Sequence, residues 1–209
     1  MFLIAEQFYG FLAAAVLITL SPGPDNLMVL GVGISRGRMR GVAFGLGCAL
    51  GCLSHTFLAV LGVSALIAAS PLAFSALRIS GGLYLVWLGI QALRSRGQVN
   101  VDSTGAQPES LRRLFAKGVF ANAINPKVVI FFLSFLPQFV HLEHGNAALQ
   151  TGLLGVIFTA QACLVFGLLG YFSGAVGQWL SRHADAGVWL DRVAGTIFVG
   201  MGLRLMVSR

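Results

Sequence analysis

The chain has 209 residues, of which 56% are hydrophobic and only 10% charged, and its mean hydropathy is +0.83. A soluble domain carries about 25% charged residues, so this composition excludes an ordinary wet surface and points to a lipid surrounding. The formal net charge of +7 falls between apolar runs, which favours membrane topology over nucleic-acid binding as its cause.

Apolar runs of about 20 residues read as spanning helices. The pattern predicts six, at 4–34, 42–69, 72–93, 114–140, 149–178 and 189–207, with the first and the fourth broken. The first run is apolar and N-terminal, as a signal peptide is, but it lacks a basic start and carries Glu6, so it is expected to remain. Ser21-Pro22-Gly23-Pro24-Asp25-Asn26 interrupts it. Membrane helices tolerate such a break only where other groups satisfy the freed backbone. Pro24 suits the first turn of a new half-helix, where a missing N–H costs nothing. Asp25 and Asn26 then sit beside exposed N–H groups at a positive dipole end. That end can receive an anion such as a substrate carboxylate. Asp25 occupies part of the field itself, and can instead meet a substrate ammonium or a proton, or cap its own half-helix.

The run 42–69 has His55 near its middle, either as a hydrogen-bonded packing residue or as a proton relay. Gly41-x3-Gly45, Gly47-x3-Gly51 and Gly170-x3-Gly174 place small residues on one helix face, which permits close contact within the chain or in a homodimer. Beyond 72–93, the polar stretch 97–111, with Gln98, Asn100, Ser103, Gly105 and Pro108, reads as a linker. The fourth run breaks at Asn125-Pro126-Lys127. Lys127 precedes the unrelieved apolar run Val128–Leu136, so bulk water is not its setting. It can pair with Asp25, hold a substrate carboxylate, change protonation during a transport cycle, or snorkel to the interface. Asn26, Asn122 and Asn125 offer neutral amides to the opened backbone. In the fifth run Thr159 takes the place equivalent to His55, close to Gln161. Cys48, Cys52 and Cys163 lie inside predicted spans and read as small packing residues. The sequence has no Walker lysine loop, zinc spacing or nucleophile elbow, so neither an enzyme nor a cofactor is expected.

Pro22 and Pro126 stand 104 residues apart at the same relative depth of two halves. Arg78-Ile79-Ser80-Gly81 through Tyr84 echoes Arg192-Val193-Ala194-Gly195 through Phe198. Three helices per half is an odd number, so the second copy enters from the opposite face, as in transporters with inverted repeats and a midplane site. The expected organisation is one all-α membrane domain over 1–209, with repeat 1 at about 1–96, a cytoplasmic linker at 97–111 and repeat 2 at about 112–209. Alternating loops put Arg36, Arg38, Arg40, Arg94, Arg96, Arg112, Arg113, Lys117, Arg182 and Arg192 on one side. By the positive-inside rule that side is cytoplasmic and both termini lie outside.

These residues resemble the lysine-exporter (LysE) superfamily and, within it, the homoserine/threonine-resistance (RhtB) branch. The resemblance covers nearly the whole chain. It rests on Ser21-Pro22-Gly23-Pro24-Asp25-Asn26, Gly37-Arg38-Met39-Arg40-Gly41, the Ala-Leu-Gly stretch before His55, Gly82-Leu83-Tyr84-Leu85-Val86-Trp87-Leu88-Gly89, Asn125-Pro126-Lys127, and Phe131-Phe132-Leu133-Ser134-Phe135-Leu136-Pro137-Gln138-Phe139. It implies a six-helix exporter of amino acids or related small metabolites in the bacterial inner membrane, driven by an ion gradient through proton antiport. It also implies a pore-centre role for Pro22, Gly23, Pro24, Asn125, Pro126 and Lys127. With the polar groups read above, the candidate substrate and ion site comprises Ser21, Pro22, Gly23, Pro24, Asp25, Asn26, His55, Asn122, Asn125, Pro126, Lys127 and Gln161. The competing functions are a metal-ion exporter, which needs clustered carboxylates or histidines, and a thiol-dependent transmembrane electron carrier, which needs a reactive cysteine near each proline break.

Overall fold

The computed structural model describes residues 5–21, 23–95, 109–141, 143 and 145–207. Pro22 of the first break and positions 97–108 of the expected linker lie outside the described residues. The described chain is helical: α1 Ala5–Leu20, α2 Pro24–Arg36, α3 Arg38–Ala69, α4 Pro71–Arg94, α5 Leu111–Ala123, α6 Pro126–Ile130, α7 Ala147–Tyr171, α8 Ser173–Arg182 and α9 Ala184–Val207. Beyond α6 the chain winds on through a π-helical turn, Phe131–Phe135, and a 3₁₀ turn, Leu136–Phe139.

Both expected breaks are present. The axis bends by 54° between α1 and α2 and by 51° between α5 and the segment opened by α6. Pro24 and Pro126 each open the new half-helix, because the proline ring forbids the preceding turn while its missing N–H is harmless there. The α2–α3 corner turns on Gly37, whose φ of +96° and ψ of +152° lie in a region open essentially to glycine alone. Ser110 starts α5 by accepting a hydrogen bond from the Arg113 amide.

Three helices are each long and apolar enough to cross a membrane, and each bent pair reaches that length as one broken span. The expected sixth span coincides with α9, which is 24 residues long but carries Asp185, Asp191, Arg192 and Arg204 and is less apolar than the others. The expected run 149–178 is not one helix. It divides at Phe172, among Gly170, Gly174 and Gly177, where glycine weakens the helix from both sides. The last helix begins at Ala184 rather than 189, straight after a corner at His183.

Glycines set the helix spacing. The antiparallel α3 and α7 touch where Gly41 meets Gly170 and Gly45 meets the Phe166 backbone. α3 and α5 run parallel, with Gly47 against Gly118 and Gly51 against Asn122. The α4–α9 contact is reciprocal: Gly82 faces Gly202, and Gly89 faces Gly195. A Cβ on Gly89 would lie 2.7 Å from the Gly195 carbonyl oxygen, and one on Gly195 would lie 2.6 Å from that of Gly89. Lipid tails are as apolar as leucine, so close backbone contact rather than hydrophobic exclusion holds such a pair together. These α3 faces are therefore filled within the chain, whereas a Cβ on Gly174 or Gly200 would meet open space.

Gly89→Val and Gly195→Val are each expected to destabilise the bundle by about 1–3 kcal/mol through overpacking, whereas Gly200→Val is expected to be tolerated. Thermal unfolding of the three variants in detergent checks this.

Candidate functional site

The two breaks lie side by side, and one side chain joins them. Lys127, in the first turn of α6, reaches across so that its Nζ donates to the Ser21 carbonyl at 2.7 Å. The same ammonium stands over the Phe198 ring of α9, 5.3 Å from its centroid. It passes so near Gly23 that a Cβ there would lie 3.1 Å from Nζ. Asn26 donates through Nδ2 to the Thr19 carbonyl at 2.9 Å. The open carbonyl end of α1 is thus served by Lys127 and Asn26, as helix termini require.

The two new N-termini differ. Asn125 caps α6 by accepting from the Lys127 amide at 3.0 Å, whereas no side chain caps α2 behind Gly23. Asp25 does not cap its own helix. Its Oδ2 accepts from Asn122 Nδ2 at 2.7 Å, while its Oδ1 is buried without a hydrogen-bond partner. Of the partners open to Lys127, Asp25 is not the one taken: among the described residues the ion pairs gather on Glu109, and Lys127 donates to a carbonyl.

Asn122 is fully buried and serves three neighbours. Besides holding Asp25, it accepts through Oδ1 from the Cys52 thiol at 3.5 Å, and its carbonyl lies 3.0 Å from His55 Nε2. A carbonyl only accepts, so Nε2 is the protonated nitrogen of that ring. His55 also packs on Phe132, with centroids 5.7 Å apart. Gln161 donates to Thr19 Oγ1 at 2.8 Å and leaves its Oε1 unpartnered.

A cavity of about 760 Å³ adjoins the breaks. Gly23, Pro24, Asn26, Asn125, Pro126 and Lys127 line its deep end, and Ala92, Ser95, Leu180 and Gly187 line it toward the end of the bundle that carries Arg36, Arg94 and Arg182. Leu27, Leu30, Leu88 and Leu190 make much of the wall between. Asp25, His55, Asn122 and Gln161 are not on that wall. Beyond the breaks, toward the other end, Phe11, Phe131, Phe132, Phe135 and Phe158 are buried against one another in tilted and edge-on contacts, with the Phe158 centroid 5.0 Å from those of both Phe131 and Phe132. Two further wall residues, Tyr84 and Asp191, escaped the sequence reading. The cost of a carboxylate within the expected span 189–207 was the signal for Asp191.

Residues 16–209 match the family of LysE type translocators. The chain belongs to that family. It is 30% identical to the homoserine/homoserine lactone efflux protein of Salmonella typhimurium over 204 residues, 98% of each chain. It is 31% identical to the leucine efflux protein of Enterobacter sp. over 202 residues, 95% of this chain and 94% of the relative. The threonine efflux protein of Escherichia coli K12 is 30% identical over 197 residues, 93% and 94% of the two chains. No solved structure matches the translocator.

At the basic end of the translocator, Glu109 receives Arg36 and Lys117 at 2.5 Å each and Arg113 at 3.3 Å. It thereby ties the end of α2 to the start of α5. The hydrogen bonds from Lys117 and Arg36 hold the Glu109 carboxyl below its ordinary range. A depressed carboxyl stabilises the fold at pH values above its unfolded value, and that contribution is lost as pH falls through the folded one. Glu109→Gln is therefore expected to lower the melting temperature at pH 7, with the gap from wild type closing as pH drops below the ordinary carboxylate range. Melting curves of the two proteins across pH 3–7 check this.

Proposed function

We propose that this translocator exports an α-amino acid or a related small metabolite from the bacterial cytoplasm across the inner membrane, in exchange for protons. The observation that carries the reading is the Lys127 ammonium beside the uncapped N-terminus of α2, at the deep end of a mostly apolar cavity. A substrate carboxylate there meets a fixed cation and free backbone N–H groups together. Leu27, Leu30 and Leu88 leave an apolar wall for a side chain. The efflux proteins related to this chain bear the names of homoserine, leucine and threonine. The three amino acids share the ammonium and carboxylate and differ beyond them, while the lactone named with homoserine keeps the ammonium and holds its carboxyl as a cyclic ester.

The arginine-bearing end is read as cytoplasmic by the positive-inside rule, so the cavity faces inward and the phenylalanine layer closes the outer side. Reciprocal α4–α9 and antiparallel α3–α7 contacts support two inverted three-helix halves about an axis through the breaks. Rocking of the halves would open the phenylalanine layer and close the basic end. The coupling proton is assigned to Asp25, whose buried carboxylate has one oxygen without a donor and no contact ion pair among the described residues. Among the described residues no three His, Cys, Asp or Glu side chains stand together as metal ligands, so nothing favours a metal ion as cargo.

Counterflow in proteoliposomes preloaded with unlabelled amino acids tests the reading. Wild type is expected to take up at least one labelled amino acid, and Lys127→Ala to lose at least about tenfold of that rate, the loss of one charge-assisted contact. Wild-type exchange by folded Lys127→Ala would overturn the assignment.

A further inference from the structure

Asp191 lies in the second turn of α9 and lines the same cavity nearer its basic end. The residue is partly exposed, and among the described residues it forms no ion pair. Lys127 and Asp191 are the charged residues of the cavity wall. They stand at different depths. Lys127 sits over Phe198, and Asp191 precedes Phe198 on the same helix by two turns, about 10 Å along the axis. An α-amino acid has only the Cα between its ammonium nitrogen and its carboxylate carbon, a span shorter than that rise. A role for Asp191 at the α9 dipole does not account for it, since Asp185 already occupies the first turn.

The surroundings decide what Asp191 can do. Arg94, Arg182 and Arg192 outnumber Asp185 at this end of the bundle, where Glu109 already takes Arg36. Their field repels an ammonium and draws a carboxylate, so a zwitterion arriving there would be held by the wrong end. An unpaired carboxylate within the wall reverses that preference at one point. We propose that Asp191 is a capture site for the substrate's primary ammonium at the basic end of the cavity, and that it loads the substrate carboxylate-first toward Lys127. The inference rests on reading the chain as an amino-acid exporter, and it adds the ammonium position that this reading lacks.

Transport by Asp191→Asn, with substrate offered at the basic end, tests it. The KM from that side is expected to rise about tenfold, the loss of one charge-assisted contact, with kcat from that side changed less than about twofold and the KM from the other side unchanged, the kcat from the other side falling to keep the two directions in balance. Asp191→Glu is expected to restore the wild-type KM. An α-amino-acid amide, which keeps the ammonium and lacks the carboxylate, is expected to compete with substrate at the basic end of wild type and about tenfold less well in Asp191→Asn. An unchanged KM, an equal rise from both sides, or equal competition by the amide overturns the capture site. If wild type exchanges no amino acid, the exporter reading fails by itself. The capture site is then judged by thermal stabilisation with the amide alone: stabilisation of wild type but not of Asp191→Asn upholds it, and equal or absent stabilisation of both overturns it.

Discussion

The bond from Lys127 to the Ser21 carbonyl is the contact on which the architecture of the site depends. A helix broken inside a membrane exposes carbonyls at one new end and N–H groups at the other, and lipid satisfies neither. Here one broken helix serves the other. The cation of the second break settles the open carbonyl end of α1, and Asn26 settles another carbonyl of that end. The second break closes its own N-terminus with Asn125, while that of α2 is left uncapped. This asymmetry leaves a single positive helix terminus facing the cavity, with the ammonium beside it.

The remaining polar groups are kept off the wall. Asn122, between Asp25, Cys52 and His55, packs where Gly51 makes room: a Cβ there would lie 2.8 Å from the Asn122 Cβ. The first break is thereby tied to α5 and α3 through one buried amide. Removing a partner from such a buried network costs more than a surface contact, because the group left behind loses its only substitute for water. The glycine contacts between α3 and α5, Gly47 on Gly118 and Gly51 on Asn122, provide the close backbone approach that makes the network reachable. Packing and site chemistry are therefore one constraint here, since any shift of α3 against α5 moves Asn122 away from Asp25.

Much of this was legible in the sequence because it follows from local rules. Pro24 and Pro126 forbid a continuous helix wherever they stand, so both breaks could be placed to the residue. The small-residue faces of α3 could be named too, since spacing alone puts Gly41 and Gly45 together. What local rules do not contain is register between helices. The sequence allowed Asp25 and Lys127 to pair, yet the two go to Asn122 and to Ser21. Nothing local distinguishes Asn122 from Asn26 as the partner of an acid 97 positions away. The split at Phe172 lacks a proline and so lacked a mark. Asp191 stayed hidden because the expected run 189–207 put it at a helix end, whereas α9 begins at Ala184 and carries it about two turns in.

On the proposed reading the cavity opens from the basic end to Lys127, and phenylalanine closes it beyond the breaks. Thiol accessibility tests it most directly. In a chain with Cys48, Cys52 and Cys163 replaced, single cysteines would stand at Leu88 on the cavity wall and at Phe132 in the buried layer. A membrane-impermeant maleimide applied from the basic side is expected to label Leu88→Cys, more slowly when transported amino acid is present, and to leave Phe132→Cys unlabelled. Labelling of Leu88→Cys from the other side alone, or labelling at a rate indifferent to amino acid, would contradict the claim.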